Sequence, residues 1–175
     1  MMMNNPFALF DLPVAFQVDS ALLNERYLAL QKSLHPDNFS AASAQEQRLA
    51  MQKSAEINDA LRILKDPIAR ADSIIALNTG ERENLEEKSN KDIGFLMQQM
   101  EWRETLENIE NRKDTDELTA FTKEIDQIRH AILSELSTAL AEQQWDIARA
   151  ITDKLRFIKK LQTEIERVEE TLLDF

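Results

Sequence analysis

Residues that break helices are nearly confined to one end of this chain. Its four prolines, Pro6, Pro13, Pro36 and Pro67, all fall within the first 67 of 175 residues, and only 2 glycines occur anywhere. Proline removes a backbone donor and clashes with the preceding helical turn, so a proline-free segment can run as long helix. Alternating runs of β-branched and aromatic residues bounded by turn residues are missing. The expected fold class is therefore all-α, with short punctuated helices first and long ones after. An apolar content of 43% is enough for a packed core.

Charge divides the chain in the same place. Residues 1–78 carry 7 Lys/Arg against 9 Asp/Glu, whereas residues 79–175 carry 14 against 23. The polar stretch Leu77 to Asn90, which contains Gly80, reads as a boundary. The net charge of -11 disfavours nucleic acid and anionic membrane, whose binding is built on Lys/Arg contacts to phosphate. Cysteine is absent and there are 2 histidines, far apart, so disulfides, thiolate chemistry and a built-in metal site are not expected. No cofactor is expected either. The opening residues lack the basic and apolar regions of a signal peptide, and no apolar run is long enough to span a membrane. The expected compartment is the cytoplasm.

In the first part, Asp19 suits an N-cap, and Leu23, Tyr27, Leu30 and Leu34 recur on one helical face. Pro36 ends that helix, with His35 expected as its last residue and Asp37 opening a loop. A second helix begins near Ser43. Ala50, Ile57, Leu61 and Leu64 line its inner face, with Met51 and Ser54 nearby. Asp66 then caps a further helix and Pro67 takes its first position, where the missing N–H costs nothing. Two antiparallel helices joined by a loop result, flanked by short ones.

His35-Pro36-Asp37 admits three local readings: a helix stop, a histidine–aspartate catalytic pair, or a docking loop. No nucleophile motif or phosphate loop accompanies it, which weighs against catalysis. A proline-stiffened turn presents an imidazole and a carboxylate at low ordering cost, which suits docking. Arg26 and Lys32, on the polar side of the preceding helix, suit an acidic partner.

The second part reads as three helices, roughly 91–112, 115–142 and 145–173. Leu118, Phe121, Ile125, Ile128, Ile132 and Leu136 line the second; Ile151, Leu155, Ile158, Ile165, Val168 and Leu172 line the third. Each of these two is about 40 Å long, and the short connections imply an antiparallel three-helix bundle. In the first, Phe95, Trp102, Leu106 and Ile109 fall within about 60° and make a sufficient core stripe. Leu96, Met97 and Met100 point away from it, among the carboxylates of Glu101 and Glu104. An apolar cluster of this kind on the wrong face suggests a partner site. Phe157, at the edge of the third helix's stripe, is a candidate member.

Taken together, "PFALFDLP", "LNERYLALQKSLHPDNF" and "SAEINDALRILKDPIARADSIIAL" resemble a J-domain, with the HPD tripeptide at the family's position between two antiparallel helices. "FLMQQMEWRETLENIE", "DKLRFIKKLQ" and the ending "EETLLDF" extend the resemblance to the HscB family of iron–sulfur co-chaperones. That resemblance implies a J-domain over 1–78, a linker over 79–90 and a scaffold-binding bundle over 91–175. It implies a co-chaperone and not an enzyme, stimulating the ATPase of a DnaK-class chaperone, HscA, and delivering the scaffold protein IscU to it. A J-domain protein serving a different client is the alternative. By position, His35, Pro36 and Asp37 would contact the ATPase, helped by Arg26 and Lys32. Leu96, Met97, Met100, Glu101, Glu104 and Phe157 would hold the scaffold. Two departures stand out. Many J-domains carry lysine after HPD where this chain has Asn38, and Asn108 interrupts the family's acidic series. The chain also lacks a Gly/Phe-rich segment and CxxCxGxG repeats, so a broad client range is not expected, and it lacks the cysteine pairs of some eukaryotic relatives, as expected of a bacterial-type protein.

Overall fold

The computed structural model describes residues 5–80 and 92–173, and every described element is helical. The chain forms two compact units, residues 1–81 and 82–175. Most of the expected linker, 79–90, lies outside the described residues.

The first unit opens with a single turn, α1 (Pro6–Leu9), where Asn5 Oδ1 accepts the Ala8 N–H at 3.1 Å. Phe7 and Phe10 are fully buried and anchor this turn. Helix α2 (Ser20–Ser33) starts on the Asp19 cap as expected, and Leu23 is its one fully buried side chain. Helix α3 (Ala44–Lys65) starts on Ser43 and buries Ala50, Ile57, Ala60 and Leu64. Leu61, expected on the inner face, is half-buried at the margin of that stripe, and Met51 is exposed. Helix α4 (Pro67–Thr79) begins with Pro67 behind the Asp66 cap. It closes on Gly80, whose left-handed φ of 73° lets its N–H reach the Ala76 carbonyl at 2.8 Å.

Polar groups, more than apolar ones, set the register of α2 on α3. Tyr27 Oη donates to Asn58 Oδ1 at 2.7 Å, and Gln31 Nε2 donates to the same oxygen at 3.0 Å. Ser54 Oγ returns a bond to Gln31 Oε1 at 2.9 Å. One α3 acceptor thus ties two positions a helical turn apart on α2. Arg70 braces the far end, its guanidinium 4.6 Å from the Phe16 ring and donating to the Leu64 carbonyl at 2.7 Å. Burial lowers the Arg70 pKa from its usual value, with Asp66 opposing that shift.

In the second unit α5 spans Ile93–Arg112, α6 Thr115–Ala141 and α7 Trp145–Leu173. Lys113 (φ 54°) and Gln143 (φ 59°) take left-handed conformations in the two tight connections. The four residues of the expected α5 stripe are all buried. Along α7, Ala148, Ile151, Thr152, Leu155, Ile158, Leu161, Ile165, Val168 and Leu172 are buried at three- and four-residue intervals. Thr152 is satisfied by donating to the Ala148 carbonyl at 2.7 Å. On α6, Ile128 is half-buried, while Ala139 and Leu140 extend the core beyond Leu136. Arg167 of α7 spans to Glu110 of α5 at 3.1 Å, and its bonds to Glu110 and Glu164 raise its pKa.

Replacing Asn58 with alanine removes the acceptor shared by Tyr27 and Gln31. The expected loss is about 1 kcal/mol of stability. Urea-dependent exchange of the Ile57 and Leu64 amides, both reporters of the first unit, measures it.

Candidate docking surfaces

The first surface is built by Pro36. A residue before proline is pushed out of the α region, and His35 adopts φ -58° and ψ 138°. Helix α2 therefore closes at Ser33 with Leu34 as its cap, two residues before the expected end at His35. Pro36–Phe39 then form a 3-10 turn, so Asp37 lies in ordered structure where an open loop was expected. The His35 ring caps this turn, with Nδ1 accepting the Asp37 N–H at 3.2 Å. Asp37 Oδ2 also lies 3.5 Å from Nδ1. A nitrogen that accepts an N–H carries no proton, so this approach is not an ion pair in the neutral ring, and Nε2 carries the ring hydrogen.

Lys32, His35 and Asp37 line one shallow hollow together with Ala29, Ser33 and Asn38. Arg26 is not among them. It is half-buried, and Nη1 donates to the carbonyls of Phe10, at 2.8 Å, and Asp11, tying α1 to α2. Asp11 exposes its carbonyl for this bond from a left-handed conformation, φ 51°. The imidazole and the carboxylate of this pair are both widely exposed.

The second surface lies on α5. Leu96 is 42% exposed, Met97 59% and Met100 71%, while Phe95 and Trp102, which flank them in sequence, are buried. Glu101 and Glu104 are exposed beside them. Ile93, not singled out from the sequence, is 71% exposed. It lies three residues before Leu96 and four before Met97, hence on the same face. Helical arithmetic extended one turn toward the N-terminus would have included it.

Phe157 is held at the edge of this face by an aromatic cluster. Its ring lies edge-on to Phe95 at 5.8 Å and stacks on Trp102 at 6.2 Å. The Arg103 guanidinium sits 5.4 Å from its centroid. Such pairs add about 0.5–1.5 kcal/mol beyond burial, so they fix a half-buried ring firmly. Asp92 starts α5 by accepting the Phe95 N–H at 3.0 Å and pairs with Lys154 of α7 at 3.5 Å. The Phe95 hydrogen bond, followed by the Lys154 charge, holds the Asp92 carboxyl below its usual pKa.

A helical hairpin bearing a His-Pro-Asp turn, with a three-helix bundle in the same chain, defines a J-domain co-chaperone. Residues 91–166 match the family described as "HSCB C-terminal oligomerisation domain". The co-chaperone HscB homolog of Mannheimia succiniciproducens is 68% identical over 99% of this chain and 100% of its own length. That of Pasteurella multocida is 67% identical, covering 98% and 99%. Among solved structures, chaperone HscB from Vibrio cholerae superposes with a TM-score of 0.86 at 41% identity, over 97% of this chain and 99% of that one. Human co-chaperone HscB gives 0.85 at 26%, over 95% and 82%. The chain belongs to the HscB co-chaperone family.

Because the folded Asp92 pKa is depressed, its contribution is fully present above the ordinary carboxylate pKa of about 4. It is lost as pH falls through the lower folded value. Acidification should therefore deprotect the Phe95 amide, measured by hydrogen exchange after correction for intrinsic rates. In Asp92→Ala that amide should be poorly protected at every pH.

Proposed function

We propose that this chain couples a DnaK-class ATPase, HscA, to the iron–sulfur scaffold protein IscU, and so assists the maturation of iron–sulfur proteins. The ATPase docks on His35, Pro36 and Asp37, with Lys32 beside them. Arg26, expected to help that docking, ties the end of α1 to α2. The scaffold docks on Leu96, Met97, Met100, Glu101, Glu104 and Phe157, and Ile93 widens the apolar part. The observation that carries this reading is the pairing, in one HscB-family chain, of a braced His-Pro-Asp turn with an unburied apolar stripe on α5.

The chain contributes no bond-making step in this mechanism. The turn binds the ATP state of the chaperone more tightly than other states, and that differential affinity shifts the population toward the hydrolysing conformation. Holding the scaffold on the same polypeptide raises its effective concentration at the chaperone. The apolar stripe supplies adaptable contact area, since methionine repacks readily. Its flanking glutamates select a partner with basic groups around an apolar centre.

In single-turnover hydrolysis by HscA, His35→Gln should abolish stimulation; unchanged stimulation would sink the ATPase assignment. Combined alanine substitution of Leu96, Met97 and Met100 should weaken IscU binding at least about tenfold, roughly 1.4 kcal/mol. Titration calorimetry measures it, and normal affinity in a normally folded variant would refute the patch. Capture of a different client by the intact patch would replace IscU in the proposal.

A further inference from the structure

We infer that Asn38 is the positioning residue of the docking turn, a latch that replaces charge with order. The inference rests on the ATPase docking proposed above. In a continuing helix the Lys32 carbonyl would accept the N–H of residue 36, and the Ser33 carbonyl that of residue 37. Pro36 has no N–H. The Asp37 N–H is taken by the His35 ring at 3.2 Å. Asn38 Nδ2 bridges both, donating to the Lys32 carbonyl at 2.8 Å, which also receives the His35 N–H at 3.4 Å, and to the Ser33 carbonyl at 3.2 Å. Its backbone N–H donates to the His35 carbonyl at 2.9 Å. One residue therefore binds the turn to the end of α2 on both sides of the proline.

The far side of the turn is fastened separately. Ser40 Oγ donates to the Asp37 carbonyl at 3.3 Å, and Gln47 Nε2 of α3 donates to the Phe39 carbonyl at 2.9 Å. Among the described residues, the Asn38 carboxamide is the side chain that connects the turn back to the Lys32 and Ser33 carbonyls. Lysine at this place would carry its ammonium on a four-carbon stem, toward a partner; asparagine keeps its donors at the short reach that bridges two adjacent carbonyls. Asn38 thus acts through His35 and Asp37 by holding them in one arrangement.

The test combines hydrogen exchange on the free protein with a titration of HscA single-turnover hydrolysis, using Asn38→Ala and Asn38→Asp. The second variant keeps the shape and removes the donor. The exchange rates of the amides at positions 37 and 38 should rise at least about fivefold, and the half-maximal concentration for stimulation should also rise, by the inverse of the competent fraction that remains. The saturated rate should remain at the wild-type value, since His35 and Asp37 are intact. Unchanged exchange in both variants overturns the latch. So does weaker docking with unchanged exchange, which marks Asn38 as a direct contact, or a lowered rate at saturation. Failure of the wild-type chain itself to stimulate would overturn the docking reading, and the exchange rates alone would then decide whether the turn is latched.

Discussion

The first unit depends on a steric restriction at one peptide bond. Pro36 denies His35 the α region, and the consequences propagate in both directions. Upstream, α2 loses the donors that would satisfy its last carbonyls. Downstream, the chain turns through one 3-10 turn and reverses into α3. Each group freed by the proline finds a substitute within a few residues: the His35 ring for the Asp37 N–H, and the Asn38 amide for the Lys32 and Ser33 carbonyls. The turn is exposed yet bonded throughout. Fixing a backbone residue costs about 1–2 kcal/mol, and a turn fixed on folding leaves less of that cost to be met on binding. The polar seam of Tyr27, Gln31, Ser54 and Asn58 extends this logic, holding α2 and α3 in one register where apolar burial on α2 is thin.

The second unit solves a different problem, which is to leave apolar surface uncovered without losing the fold. Helix α7 buries nine residues in a continuous stripe and forms the spine of the bundle. Helix α5 needs only Phe95, Trp102, Leu106 and Ile109 for its share of the core. Its opposite face is thereby free to carry Ile93, Leu96, Met97 and Met100. The aromatic cluster joins the two faces: Phe95 and Trp102 belong to the core, and Phe157 packs on both while remaining partly accessible. An exposed stripe seated on a rigid core is ordered before any partner arrives, so a partner bound there would add its contacts without reorganising the bundle.

Much of this was legible because helices write their packing into a 3.6-residue period. The α5 stripe, the caps at Asp19 and Asp66, the start of α3 near Ser43, and the helical character of the described residues all follow from that period and from cap chemistry. The errors have physical causes. His35 was expected inside α2, although the same pre-proline restriction used to end the helix also excludes His35 itself. Leu61 and Ile128 lie at stripe margins, where burial depends on the neighbouring helix and not on the period. The bonds from Arg26 to carbonyls 15 and 16 residues away leave no local signature, so its tie to the end of α1 was not legible in the sequence. Asn38 was read only for the charge it lacks; its hydrogen-bonding capacity becomes visible once the positions of the α2 carbonyls are known.

The exchange of lysine for asparagine after His-Pro-Asp alters the terms on which a partner is met. A cation there would act at a distance, raising the encounter rate and losing that effect as salt rises. A carboxamide latch would act within its own chain, so its contribution would be insensitive to salt and would appear in the fraction of molecules ready to dock. Lys32 remains exposed at the rim of the same hollow, and it keeps some electrostatic reach for the surface. In a chain of net charge -11, a single further lysine changes the long-range field little. A latch on the imidazole and carboxylate would act on the turn itself, independently of that field.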